Sequence, residues 1–329
     1  MDIAISRGET VYIPQEIVDY IIDCVPRDAK RILSTCAAIT RSWVPRARLH
    51  LFREVHINPH YCTGTHPGFC RFLEENPDVA AFIHTLTLRG LTYEIEDESI
   101  VAMTPYYMSI IASRLRNLES LMISNMTWNT TVRTGLSGKP LQNWPPTNPL
   151  KLDTLHISSC LVSKGTSAGL LEMLEGFSYV RDLHFEQIQL REKRIAPSKT
   201  SLPQPIKALE TEHLTLDCEA STGQRKFNEA ILSTRCGKTV RHLTLVLHGL
   251  KEASVAKAAL RIVKNKLQHF DLDIVDYEGL NDQSTSQALG TLNGSLTRLG
   301  IFSPGAVDDG SALFLLSIHH DIHHTHSSQ

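Results

Sequence analysis

A spacing of apolar residues, apolar-x-x-apolar-x-apolar, recurs eight times along most of this 329-residue chain. The copies begin at residues 83, 118, 152, 180, 211, 240, 267 and 296. The end of each copy alternates between apolar and polar residues, which is typical of a strand. Helical spacing fills several of the gaps, at residues 167–177, 227–235 and 253–264. A strand and a helix at a near-constant interval predict an α/β solenoid with parallel strands and outer helices.

A different pattern occupies the first 55 residues. Apolar residues spaced by three or four follow Pro14 and again follow Asp28, and Pro45 precedes a third apolar stretch. This pattern predicts three short helices, with Pro14 in a first turn and Asp28 as a capping residue. So small a helical module buries little surface, so we expect it to pack on a neighbour. Its apolar residues serve either as its own core or as a face for docking a protein.

This N-terminal module resembles an F-box, in the form common in basidiomycete fungi. The matching segments are IPQEIVDYIID at residues 13–23, LSTC at 33–36, RSWVPRAR at 41–48 and LFR at 51–53. The resemblance implies that the module docks on the Skp adaptor of a cullin-RING ubiquitin ligase. It also implies a set of positions that bind the adaptor or support the binding face: Pro14, Ile17, Ile21, Leu33, Cys36 and Trp43.

The repeated part of the chain resembles divergent leucine-rich repeats over about residues 83–304. The Asn or Cys that follows the strand in that family is matched only at Cys160, which favours an irregular horseshoe. The two resemblances predict an F-box helical module at residues 10–55 and a leucine-rich-repeat-like solenoid at 56–310. A His-rich tail, expected to be disordered, follows at residues 311–329. Two inserts rich in Pro, Gly and Ser, at 135–149 and 197–205, predict loops.

Polar residues of the repeats line one face of the predicted parallel array, with equivalent positions about 4.8 Å apart on neighbouring strands. The candidate target-binding residues on this concave face are His156, His184, His213, His242, His269, Glu186, Asp217, Asp271 and Asp273. Three interpretations remain open: ordinary solvent-facing polarity, a recognition surface for a protein, or a metal site. Imidazoles beside carboxylates would let a recognition surface gain positive charge as the pH falls toward about 6. A row along a flat array does not converge on one ion, so we expect no metal.

Composition narrows the classes of partner. The formal charge of −2, from 33 Lys and Arg against 35 Asp and Glu, lacks the basic excess of a nucleic-acid binder. No apolar run reaches the length of about 18 residues needed to cross a bilayer, and the N-terminus does not resemble a signal peptide. Seven scattered cysteines without a CxxC pair favour reduced thiols, and hence the cytoplasm or nucleus. We therefore expect neither a nucleic-acid nor a membrane partner.

HExxH, Walker and GxGxxG patterns are missing from this scaffold, and GTSAG at residues 165–169 is its single match to the GxSxG spacing, with no triad motif around it. We therefore expect a non-catalytic adaptor without a cofactor. The expected function is substrate recognition in an SCF-type ubiquitin ligase, with Skp and through it cullin as partners and a target protein on the concave face. One alternative is a Skp-bound, non-degradative binding module. Another is a small-molecule receptor roofed by the insert that contains Trp144.

Overall fold

A computed structural model gives the conformation of ten segments of the chain. They are residues 13–58, 65–90, 103–129, 148–163, 168–190, 209–218, 222–248, 253–263, 267–274 and 298–302. The His-rich tail, Trp144 and nearly all of the two predicted loop inserts lie outside these described residues. None of the helices in the described segments is long and apolar enough to cross a membrane.

The described residues contain both helices and strands, in an order that alternates along the chain. The helices are α1 (Gln15–Asp23), α2 (Lys30–Ile39), α3 (Val44–Phe52), α4 (Thr65–Glu75), α5 (Pro77–Ala80), α6 (Pro105–Arg114), α7 (Ala168–Leu174), α8 (Thr222–Ser233), α9 (Cys236–Thr239) and α10 (Ala253–Val263). The strands are β1 (Glu54–Ile57), β2 (Thr85–Arg89), β3 (Ser120–Ser124), β4 (Thr127–Asn129), β5 (Leu150–Ser158), β6 (Leu161–Ser163), β7 (Phe177–Glu186), β8 (Gln189–Leu190), β9 (Glu210–Asp217), β10 (His242–Leu247), β11 (His269–Ile274) and β12 (Arg298–Phe302).

The N-terminal segment folds into three helices, α1 to α3. Its small core contains Val18, Ile22, Leu33, Cys36 and Ala47, and the Trp43 ring packs against this core. Pro45 lies in the first turn of α3, where its missing N–H is no loss. The predicted cap at Asp28 is wrong. Helix α2 begins at Lys30, its N-cap residue is Ala29, and no side chain caps this end of the helix.

Nine strands form one sheet in which every described pair is parallel. Their spatial order is β1-β2-β3-β5-β7-β9-β10-β11-β12, which is also their order along the chain. Each of the eight repeats contains one of these strands, and α7, α8 and α10 overlap the three predicted helical stretches. The α/β class with parallel strands is therefore confirmed.

The two faces of the large sheet differ in what they contact. The repeated leucines, such as Leu86, Leu121, Leu155 and Leu183, are fully buried on one face. They share a continuous core with apolar residues of α4 to α10. The side chains between these leucines point to the other face, and the described helices leave that face open. The apolar spacing therefore decides which side of each strand the helices cover.

Strand β1 is a ninth member of the sheet that the repeat count missed. Its register aligns Glu54 with Thr85 and Ile57 with Leu88. Phe52 and Val55 pack against the core of the large sheet. The predicted boundary between residues 55 and 56 therefore falls inside a strand. The helical module joins the sheet without an intervening linker.

The six cysteines of the described residues are free thiols. Five of these six thiols are buried. Burial raises the pKa of Cys70 to about 12 and that of Cys160 and Cys236 to about 11. Such thiols stay protonated near neutral pH and serve as small apolar residues of the core.

Candidate protein-binding surfaces

Most exposed large apolar side chains of the described residues lie in the helical module. We call the following residues the apolar patch: Ile13, Ile17, Tyr20, Ile21, Ile32 and Ile39. Their exposed fractions range from 43% at Ile21 to 68% at Tyr20. Spacings of three, four and seven residues place the members on one side of α1 and one side of α2. Apolar side chains grouped in this way mark a surface that another protein can cover.

The six predicted adaptor-binding residues divide into an exposed and a buried group. Pro14, Ile17 and Ile21 are exposed, so they are available for direct contact. Leu33 and Cys36 are buried in the core of the helical module, and Trp43 is half-buried against it. The buried group therefore supports the module from inside.

Tyr20, Ile32 and Ile39 belong to the apolar patch but were missed as adaptor-binding candidates. The sequence alone does not separate them from core residues, because α1 has apolar residues on two sides. Val18 and Ile22 face the core of the module, whereas Ile17 and Ile21, one position earlier in each case, face outward. Only the packing of α1 against the other helices distinguishes the two sides.

The predicted polar rows are present on the open face of the sheet. Backbone register aligns His213 with His242 and His242 with His269. It also aligns His156 with His184 on the neighbouring pair of strands. We call the following residues the histidine face: His156, His184, His213, His242, His269, Asp182, Glu186, Asp271 and Asp273. The face spans β5, β7, β9, β10 and β11.

Three rings on consecutive strands form a ladder within this face. The ring centroids of His213 and His242 are 5.3 Å apart, and those of His242 and His269 are 5.5 Å apart. A carboxylate lies at two points of the ladder: Asp182 Oδ1 is 2.5 Å from His213 Nδ1, and Asp271 Oδ2 is 2.6 Å from His242 Nε2. In the neutral state His242 donates its Nε2–H to Asp271, whereas the contact of His213 with Asp182 is an ion pair when His213 is protonated. Asp182 was missed as a site residue, although its place in the same row as His213 was a signal.

The second histidine pair has a different environment. The ring centroids of His156 and His184 are 5.7 Å apart. His156 Nε2 lies 3.2 Å from Glu186 Oε2, which makes an ion pair when His156 is protonated. His156 lowers the pKa of Glu186 below its ordinary value. Burial, and then the neighbouring His156, lower the pKa of His184, so His184 is neutral at physiological pH.

Asp217 does not belong to the exposed surface, which corrects its assignment as a target-binding residue. Its side chain is only 4% exposed. Its Oδ2 accepts the backbone N–H of Gln187 at 2.8 Å, and its Oδ1 is 2.7 Å from His248 Nε2. Asp217 therefore connects β9 to the residues that follow β7 and β10. The other predicted target-binding residues lie on the open face, at least partly accessible.

Two carboxylate groups on β11 differ from the paired carboxylates of the histidine face. Asp271 Oδ1 is buried without any partner, although the other oxygen of the group contacts His242. Asp273, two residues further along β11, is partly buried, and this burial raises its pKa, while His248 opposes the rise. Across the described residues, no three His, Cys, Asp or Glu side chains converge in a way that could hold a metal ion.

Comparison of the sequence with protein-family models and with curated proteins gives no match. The functional argument therefore depends on the two surfaces themselves. One is an apolar patch on the first two helices, and the other is a polar, titratable face on the large sheet.

Proposed function

We propose that this chain is the substrate-recognition subunit of an SCF-type ubiquitin ligase, acting in the cytoplasm or nucleus. The observation that carries the proposal is the apolar patch. It lies within the segment that resembles an F-box, on helices whose own core is filled by other residues. An adaptor protein such as Skp would cover the patch and remove its apolar area from water. Burial of the exposed half of one isoleucine contributes about 1 kcal/mol, so several such residues support a stable contact.

The proposal assigns the rest of the chain to an irregular, leucine-rich-repeat-like solenoid. Its support is the chain-ordered parallel sheet with one helix-covered face and one open face. In this proposal the histidine face holds the target protein. Repeat arrays of this kind present a long surface of adjacent strands to a partner.

The role of the chain in this proposal is to bring a target close to the ubiquitin-conjugating partner. Holding two reactants together raises their effective concentration without any chemistry by the scaffold itself. The helical module joins the sheet directly through α3 and β1, which favours a fixed placement of the target. The chain therefore contributes position, and its partners contribute the reaction.

The test is co-purification of the full-length chain with tagged Skp, with cullin detected in the same eluate. We compare the wild type with the double variant Ile17→Asp/Ile21→Asp, which places two charges in the apolar patch. We expect the wild type to capture both proteins and the double variant to lose at least about 90% of the captured Skp. The matched control is Ile262→Asp, an exposed apolar residue of α10, and it retains capture.

Each outcome of this test has a definite meaning. Loss of capture by Ile17→Asp/Ile21→Asp alone, with an unchanged circular dichroism spectrum, supports docking through the apolar patch. Capture of Skp without cullin favours the alternative of a non-degradative module. A folded wild type that captures neither protein contradicts the F-box proposal, and the helices then serve only to cover one end of the sheet.

A further inference from the structure

The open face of the large sheet carries an unbalanced set of charges between β7 and β11. Its carboxylates are Asp182, Glu186, Asp271 and Asp273. The aligned rows of β7 to β11 contain no Lys or Arg, and the first cation of these rows is Arg298 of β12, which is aligned with His269. Arg181, one residue before Asp182, is already shared between Asp153 at 3.4 Å and Asp182 at 3.2 Å. The described helices pack on the opposite face and do not cover these groups.

Part of this negative charge has no partner among the residues that the structure describes. Asp271 Oδ1 is buried without a hydrogen bond, and Asp273 is partly buried two residues further along β11. An unpaired carboxylate oxygen that is shielded from water costs free energy, which a donor on another molecule would recover. Lysine and arginine side chains supply such donors together with the complementary charge.

We propose that the histidine face docks a target segment that bears Lys or Arg side chains, and that it releases the segment as the pH falls toward 5.5. This inference rests on the proposed function, because it names the chemistry of the target on the same face. The cationic side chains contact Asp271 and Asp273, and Asp182 adds negative charge to the same face. The apolar patch is a separate surface and takes no part in this contact.

The pH dependence follows from the imidazoles that lie among these carboxylates. At neutral pH the four carboxylates carry about −4, and each imidazole of the face that binds a proton removes one unit of this negative charge. The ladder rings are 5.3 and 5.5 Å apart, so protonation also places like charges close together. Protonation of His213 and His242 would neutralise Asp182 and Asp271, their partners. Both effects oppose the binding of a cation.

The other charged groups near the face do not reverse this direction. Glu212 accepts a hydrogen bond from Tyr179 at the amino-terminal edge, where Arg241, just before β10, carries the opposite charge. At the opposite edge, His248 contacts the buried Asp217. Protonation of His248 would add another positive charge as the pH falls, in the same direction as the ladder.

The test uses the full-length chain and two labelled peptides of twelve residues, one of alternating Lys and Ser and the other of alternating Glu and Ser. Fluorescence anisotropy measures binding at about pH 7.5 and about pH 5.5 with constant ionic strength. We expect only the Lys–Ser peptide to bind at the higher pH, and its affinity to fall about tenfold or more at the lower pH. The variant Asp182→Asn/Asp271→Asn weakens binding about tenfold at the higher pH.

The matched control is Glu75→Gln/Asp78→Asn, which removes two exposed carboxylates from α4 and α5 and changes the net charge equally. We expect this control to keep its affinity within about twofold. The variant His213→Gln/His242→Gln loses less affinity than the wild type between about pH 7.5 and about pH 5.5. Circular dichroism checks that each variant is folded.

The proposal is overturned by equal binding of the two peptides, by no binding of the Lys–Ser peptide, or by equal weakening in the control variant. Unchanged pH dependence in the histidine variant overturns the release mechanism. Capture of Skp is measured on the same preparations. Intact capture without peptide binding rejects only the inference about the histidine face, whereas loss of Skp capture by the wild type rejects the proposed function.

Discussion

At the residue scale, one backbone position recurs at the end of several strands and turns the chain. It lies four residues after the second apolar position of a repeat and is occupied by Gly90, Asn125, Ser159 and Gln187. The last three have positive φ values of 53°, 50° and 50°. Each of the four donates its N–H to an acceptor at the end of the neighbouring strand, from 2.7 to 3.1 Å away. The bend leads into the short strands β4, β6 and β8, which pair as a second parallel sheet.

The glycine at this position predicts a large effect of a small substitution. A Cβ on Gly90 would lie 1.9 Å from the carbonyl oxygen of Asn125, so Gly90→Ala requires a shift of the backbone. We expect Gly90→Ala to lower the free energy of unfolding by about 3 kcal/mol or more. The matched control is Gly68→Ala in the exposed part of α4, where nothing lies within 4 Å of the new Cβ. It raises the free energy by about 0.5–1 kcal/mol.

Urea denaturation followed by circular dichroism measures both substitutions. Effects of the same sign in the two variants would contradict the close approach at Gly90. If Gly90→Ala lowers the free energy of unfolding by less than about 1 kcal/mol, the backbone of the neighbouring strand moves at this turn with little loss of stability.

A buried histidine of α4 makes the stability of the protein depend on pH. His66 is 4% exposed, its Nδ1 has no partner, and burial lowers its pKa to about 4. Below about pH 6.5 the His66 imidazole binds a proton in the unfolded chain but stays neutral in the folded chain. Stability is therefore lost as the pH falls from about 6.5 to about 4, by up to about 3 kcal/mol.

The comparison of wild type with His66→Gln isolates this contribution from that of the other histidines. We expect the variant to lose less stability than the wild type over the same pH range, as measured by urea denaturation at several pH values. Parallel curves for the two proteins would show that His66 takes up its proton without unfolding.

At the element scale, polar contacts fix the relative positions of the three N-terminal helices. Asp23 at the end of α1 accepts hydrogen bonds from Arg46 in α3 and lies 2.7 Å from His50 Nε2. Lys30 Nζ at the start of α2 donates to the carbonyl oxygens of His50 and Leu51, at 3.2 and 3.0 Å, near the end of α3. This last contact also places a cation at the negative end of the α3 dipole.

The Asp23 contact predicts an effect of acid on the helical module. Arg46, followed by His50, lowers the pKa of Asp23 from its ordinary 3.8 to about 2, although burial opposes the change. The stabilisation is complete above the ordinary value and is lost as the pH falls through about 2. We expect Asp23→Asn to lower Tm by no more than about 2–4 °C at pH 7, because the pair is partly exposed.

Thermal unfolding at several pH values tests this expectation. The difference in Tm between wild type and Asp23→Asn should shrink between about pH 4 and pH 2. A difference that is constant down to about pH 2 would show that the Asp23 carboxylate does not contribute through its charge.

At the scale of the whole molecule, the sheet begins within the segment that sequence patterns assign to the helical module. Arg53, just before β1, accepts the backbone N–H groups of His84 and Thr85 at 3.0 and 2.9 Å. Phe52 stacks near Phe72 of α4, with ring centroids 6.5 Å apart. Strand β1 therefore forms one edge of the sheet, pairs with β2 and covers part of the core.

Truncation on either side of this strand tests its contribution. We expect residues 52–329 to keep the helical and strand content of the corresponding part of the full chain. Residues 58–329 lack β1 and therefore expose the edge of β2. We expect this fragment to have a free energy of unfolding lower by about 2 kcal/mol or more and to associate through the exposed edge. Circular dichroism, urea denaturation and gel filtration compare the two. Equal stability would show that β1 contributes little to the sheet.

The positions and register of eight strands were predictable from the sequence because one local spacing determines both. Leucines two residues apart must share a face of a strand, and a near-constant repeat aligns them with the leucines of the next strand. The histidine ladder followed from the same rule, since His213, His242 and His269 hold equivalent positions. The period therefore determined the fold class and most of the histidine face.

Only the tertiary structure decided features that depend on distant parts of the chain. Phe52, Val55 and Ile57 repeat the same spacing, yet β1 forms only because β2, about thirty residues later, offers it an edge. Asp217 is buried because Gln187 and His248 approach it from neighbouring strands. The sequence by itself determined which residues alternate along each strand. Packing alone decided which isoleucines of α1 face water and which carboxylates keep an unpaired oxygen, because burial depends on contacts between elements far apart in the chain.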